Sequence, residues 1–148
     1  MTTRIVDFHP AHCFGATAHP SQAQYQTMLT DPSCFRWLWP DTLSALDGDE
    51  LIAMGGTTRK PRTKLVEGAL GAWVLFTDKI TPARFLCVHR MVVRHLVVFE
   101  QIGEPIFVHA DPNNPNAARW AGLLGMGTRR TDVLPDGRSM MRFESHVH

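Results

Sequence analysis

Tyrosine is nearly absent from this chain. Among 148 residues there are four tryptophans and eight phenylalanines but one tyrosine, Tyr25, so any phenolic proton donor must come from that one N-terminal position. Cysteine is scarce too: Cys13, Cys34 and Cys87 are odd in number and irregularly spaced, which excludes a disulfide framework and fits free thiols in a reducing compartment. No apolar run reaches the ~18 residues a spanning helix needs, and the opening MTTRIVDFHPAHC has no apolar signal core, so the chain is expected to remain where it is made, with no membrane partner. Charge of one sign is missing as well. Fifteen Lys and Arg against fourteen Asp and Glu leave a formal +1, which removes the usual footprint of a dedicated nucleic-acid binder.

What remains is an ordinary globular composition, 44% hydrophobic and 20% charged. A chain of this length buries roughly 70% of its unfolded surface, enough for a core without metal or disulfide staples. The expectation is one domain over residues 1–148. Residues 20–30 read as a short helix opened by Pro20. The following DPSCFRWLWP reads as a loop pinned by Phe35, Trp37, Leu38 and Trp39. LSALDGDELIAMGG sets two apolar runs about Asp47-Gly48, a pair suited to a tight hairpin turn. Arg59, Lys60, Arg62 and Lys64 mark a polar connection, and AWVLFT at 72–77 reads as a strand buried on both faces.

Thr81 and Pro82 supply an N-cap and a proline at the first helical position. The helix they open carries Phe85, Val88, Val92, Leu96 and Phe99 on one stripe, with Arg84, Arg90 and Arg94 off it as a solvated face and Gly103 as its close. A strand at 106–110, a loop, a short helix ended by Gly125 and a hairpin about Pro135-Asp136-Gly137 complete the chain. The order specifies a mixed α/β (α+β) layer with mostly sequential neighbours.

Residues 105–126, PIFVHADPNNPNAARWAGLLGM, resemble the strand-loop-helix signature of the GNAT acyltransferase superfamily, with Asn114, Ala117, Leu124, Gly125 and Met126 at the matching positions. The order of elements from about Leu43 onward is similar too, and implies a GNAT-like mixed sheet flanked by helices. More narrowly, LDGDELIAMGG, GAWVLFTDKITPARFL and NPNAARWAGLLGM resemble GNAT-like proteins that short-tailed phages encode beside their virion genes. That resemblance implies a virion-associated or assembly protein acting through contacts with other virion or head-assembly proteins, or as a homo-oligomer, in the phage particle or the host cytoplasm.

The superfamily's alternative implication is an N-acetyltransferase using acetyl-CoA. Such enzymes hold the donor's pyrophosphate on a glycine-rich turn at the start of a helix. Here DKITPARFLCVHR has no glycine, and Pro82 has no N–H. No cofactor is therefore expected under the assembly reading. Under the enzymatic one, Asn114, Lys79 and Arg84 are the candidate acetyl-CoA contacts and His109 or Glu104 the base, with Glu100 a further carboxylate nearby. The position matching the superfamily's acid-bearing tyrosine is Ala121, which leaves the acid to water or an unassigned hydroxyl.

His9, His12, Cys13 and His19 are residue types that bind zinc, but their spacing matches no common structural zinc pattern, and no metal is expected. Arg129, Arg130, Arg138 and Arg142 gather charge in the final hairpin, a candidate patch for an acidic partner, nucleic acid included.

Overall fold

A computed structural model of the chain describes residues 3–58, 70–101, 106–110, 115–126, 128–133 and 137–144. Seven strands form one mixed sheet: β1 (Arg4–Asp7), β2 (Thr42–Asp47), β3 (Glu50–Thr58), β4 (Leu70–Phe76), β5 (Ile106–Ala110), β6 (Thr128–Val133) and β7 (Ser139–Glu144). Their order across the sheet is β1-β2-β3-β4-β5-β7-β6. Among the described residues three α-helices accompany it: α1 (Gln26–Thr30), α2 (Pro82–Gln101) and α3 (Pro115–Leu123). The chain clusters into two compact units, Met1–Thr57 with Val74–Met91, and Thr58–Trp73 with Val92–His148.

The first unit is built on the Asp47-Gly48 hairpin that the sequence announces. Gly48 takes φ +60° in the turn, and Asp47 stands opposite Glu50. Strand β3 is buried through Leu51, Ile52, Ala53 and Met54, joined in the core by Ala45, Leu46, Leu75 and Val88. Gly56 lies opposite Thr42, where a Cβ would collide with the carbonyl oxygen of Asp41, so β3 approaches the start of β2 more closely than any side chain allows.

Strand β1 is absent from the sequence reading. Four residues with one apolar pair, Ile5 and Val6, carry almost no periodic signal, and pairing with β2 (Arg4↔Leu46 to Asp7↔Leu43) defines the strand. The segment read as a loop at 31–40 is instead a 3-10 turn, Pro32–Asp41, kinked at Phe35. Phe35 and Leu38 are buried there and Phe8, Phe35 and Trp39 form a ring cluster, whereas Trp37 stays exposed.

Side chains replace backbone partners through much of this unit. Gln22 donates through Nε2 to the Val74 carbonyl (2.9 Å) and accepts at Oε1 from the Phe76 N–H (2.8 Å), acting as a one-residue strand against β4. Thr77, itself buried, donates to the Leu51 carbonyl at 2.6 Å. Gln26 spans the Ala18 N–H and the Ala16 carbonyl. Strand β4 is less enclosed than expected: Leu75 is buried, but Ala72, Trp73, Val74 and Phe76 are each half-buried.

The second unit uses apolar contact. The start of β4 runs parallel to β5 (Leu70↔Ile106, Gly71↔Phe107, Ala72↔Val108), β5 pairs antiparallel with β7, and β7 with β6 in the hairpin expected from the sequence. Ile106, Ala110, Ala121, Met126 and Phe143 form its core, with Leu96, Val108 and Leu124 packed against it. Helix α3 ends at Gly125, φ +79°, with the Met126 N–H on the Ala121 carbonyl and the Gly125 N–H on that of Gly122. That double bond to the last turn is a Schellman close, which needs the left-handed residue that glycine supplies. The polar connection at 59–64, the Gly103 close of α2 and the turn at Pro135-Asp136 lie outside the described residues.

Among the described residues no helix is long and apolar enough to cross a membrane. None of the three thiols is in a disulfide: Cys34 and Cys87 are exposed, and burial pushes the Cys13 thiol up to about 11, keeping it protonated and unreactive.

Candidate functional site

The N-terminal histidines fold into caps. His9 accepts at Nδ1 from the Ala11 N–H (3.0 Å), and His12 accepts at Nδ1 from the His9 N–H (3.2 Å) and lies 2.9 Å from the Ser44 hydroxyl. His19 likewise accepts from the Ser21 N–H. His9 and His19 take the part that Ser or Asp usually plays at a helix start, and His12, three residues after His9, takes that of the Glu or Gln of a capping box. Burial first, then His9 and then Arg4, hold the His12 pKa below the usual histidine range. No group of three or more His, Cys, Asp or Glu among the described residues is placed to hold a metal.

The turn between β4 and α2 is where the sequence places Lys79 and Arg84 as phosphate contacts. Its amides are largely engaged: Asp78 N–H on the Thr17 carbonyl (2.8 Å), Lys79 N–H on Thr77 Oγ1 (3.3 Å), Ile80 N–H on the Thr77 carbonyl (3.3 Å) and Arg84 N–H on Thr81 Oγ1 (3.3 Å). The last of these is the N-cap bond expected of Thr81. Pro82 has no N–H, so the amides of Thr81 and Ala83 are what remains of the turn among the described residues.

Arg84 is not on a solvated face. Its side chain is 14% exposed and donates through Nη2 to Asp47 Oδ2 at 2.7 Å and Glu50 Oε2 at 3.4 Å, and through Nη1 to the Lys79 carbonyl at 2.7 Å. The hairpin makes this necessary, because Asp47 and Glu50 face each other across the strand pair and like charges in that position repel. Lys79 Nζ, 3.9 Å from Glu50 Oε1, adds a second, solvent-screened cation. An open cleft of about 100 Å3 adjoins the cluster, its charged lining Asp49, Glu50 and Asp78 against the single Lys79.

His109 sits on β5, one residue past the last β4 partner, with its backbone opposite Arg142 of β7. Its Nε2 lies 3.1 Å from Asp132 Oδ2, a carboxylate two strands away on β6. Both side chains are mostly enclosed, 19% and 12% exposed, and the Phe107 ring meets the imidazole edge-on at 5.1 Å. A carboxylate on Nε2–H fixes the tautomer and leaves Nδ1 as the basic nitrogen, the arrangement by which a histidine is oriented for proton transfer. Sequence reading finds His109 and misses Asp132. The signal was there in principle, since the final hairpin's register carries the acidic residue of TRRTDV onto the strand beside β7.

Glu104 and Asn114 lie outside the described residues, and nothing is described of the Glu100 side chain. Ala121, at the position matching the superfamily's tyrosine, is 3% exposed within the second unit's core.

No family model matches the chain, and no curated protein does either. Solved structures resemble it over nearly its whole length. A GNAT superfamily phosphinothricin acetyltransferase from Sinorhizobium meliloti, solved with AcCoA, aligns at 11% identity and TM-score 0.64, covering 99% of this chain and 89% of its own. A GNAT family acetyltransferase from Bacillus anthracis aligns at 14% and 0.63, covering 97% and 93%. An N-acetyltransferase from Staphylococcus aureus Mu50 aligns at 8% and 0.65, covering 97% and 98%. The chain has the GNAT fold. The mixed sheet and flanking helices expected from residues 105–126 are thus present, while the narrower phage likeness finds no counterpart in these structures.

Proposed function

We propose that this GNAT-fold chain is an N-acyltransferase of the thioester-dependent kind, with His109 as general base. One observation carries the reading: the His109–Asp132 pair, an oriented and mostly enclosed imidazole on the late strand. The acetyltransferases that share its fold favour acyl transfer over the assembly role implied by the phage resemblance. In the overall reaction an amine N–C bond forms as a thioester C–S bond breaks; one proton leaves the amine and one reaches the sulfur. This chain's part is the first, with Nδ1 of His109 taking the amine proton while Asp132 steadies the resulting imidazolium.

Acetyl-CoA, the donor that the fold implies, does not fit the β4–α2 turn as a pyrophosphate ligand, because four of that turn's N–H groups and both terminal nitrogens of Arg84 are engaged within the protein. No step is assigned to it there. The test is thiol release from an acetyl thioester offered with a panel of primary amines and polyamines. Amine-dependent release that falls in Asp132→Asn supports the reading, and no release with any amine overturns it.

A second reading keeps the fold and drops the chemistry: a protein acting through contacts with virion or assembly partners, or with its own copies. Val93 and Val97 favour it, lying at i and i+4 on α2 and each exposed by more than a third. Sedimentation as a monomer at every concentration, together with measurable acyl transfer, would remove it.

A further inference from the structure

The anion position at the start of α2 is already filled. A helix start attracts negative charge through its unpaired N–H groups and its dipole, and a neighbouring guanidinium reinforces that. Here the negative groups are the protein's own. Asp47 and Glu50, brought together by the hairpin register, occupy the Arg84 guanidinium from one side, while the Lys79 carbonyl takes its other terminal nitrogen. Four N–H groups of the turn are bonded to Thr17, Thr77 and Thr81. The adjoining cleft presents three carboxylates to one ammonium, a field that repels a pyrophosphate.

We infer that donor recognition in this protein does not use the pyrophosphate, so that a truncated acyl thioester lacking the nucleotide serves as well as full-length acetyl-CoA. Arg84 is in this account a positioning residue, which ties the β2–β3 turn to the first turn of α2. The inference about donors rests on the acyl-transfer reading; the statement about the filled anion position does not. A working clamp of two or three charge-assisted bonds would favour the full donor by roughly a hundredfold or more.

Two measurements on the full chain test this. Calorimetric titration with inorganic pyrophosphate and with adenosine 3′,5′-bisphosphate is expected to give no saturable heat up to about 1 mM. Turnover of acetyl-CoA and of S-acetylpantetheine is expected to give kcat/KM values within about threefold of each other. The double variant Asp47→Asn with Glu50→Gln releases the guanidinium and is expected to gain pyrophosphate affinity; should it fail to fold, the native titration decides alone. Binding of either probe by the native chain below about 100 μM, lost in Arg84→Ala, overturns the inference, as does a folded double variant that gains nothing. Silence of both probes with no turnover of either donor removes the acyl-transfer reading and leaves the filled position standing. Tight pyrophosphate binding with turnover does the reverse.

Discussion

The two units add different polar contacts to their apolar cores. Around Leu51, Ile52, Met54 and Leu75 the first carries polar clamps: Gln22 on β4, Thr77 on β3, Gln26 across its own loop, histidine caps and the Arg84 cluster. The second packs around Ile106, Met126 and Phe143, and there His109 is hydrogen-bonded to Asp132. In the first unit each polar group answers a structural need, such as an unpaired amide or two facing carboxylates. An arginine cannot release its proton, so such a pair is fixed. In the second, an imidazole is held by a carboxylate two strands away, and imidazole is the side chain type suited to taking up and giving back a proton. Damage to the first unit should therefore appear as lost stability, and damage to the pair in the second as lost chemistry.

The sharpest separation comes from His109→Gln. It should lower kcat/KM for amine acylation by roughly 10²–10⁴ with a small change in thermal midpoint, as expected for a general base. Equal losses in midpoint and rate would make the pair structural and erase the contrast. Next in size is Gly56→Ala, where the added methyl meets the Asp41 carbonyl; a loss of about 3 kcal/mol or more is expected by urea denaturation. Arg84→Ala leaves Asp47 and Glu50 facing each other. It should cost about 2 kcal/mol and lower Tm by roughly 4–8 °C, while His109 keeps its function.

The smallest effect concerns pH. Since burial, His9 and Arg4 hold the His12 pKa down in the fold, the unfolded chain binds the proton more readily. That contribution is complete above the ordinary histidine range and fades as the pH falls through it. Urea midpoints should therefore drop between about pH 7.5 and pH 5, and His12→Gln should flatten part of that slope. An unchanged slope would show that the cap does not need the neutral ring.

Much of the fold was legible because its signals are local. Asp47-Gly48, Thr81-Pro82 and Gly125 each specify a backbone conformation within two or three residues, and each stands where the sequence reading put it. Strand β1 was not legible, for its partner is some forty residues away and its four residues have no pattern of their own. The site divides the same way. His109 stood out as a histidine in an apolar strand, but Asp132 joins it only through hairpin register, and the engagement of Arg84 by Asp47 crosses 37 positions. Helical spacing assigned Arg84 to water; it could not anticipate that the hairpin would bring two carboxylates to the same helix start.

Among the described residues the strand order ends on β1 and β6. Unpaired strand edges are templates for adding a foreign strand, and proteins discourage this by making the edge short or charged. Strand β1 is four residues long with Arg4 and Asp7 at its ends, and β6 reads Thr-Arg-Arg-Thr-Asp-Val. The short length of the one and the charged sequence of the other are features of the kind that discourage a second copy from lengthening the sheet.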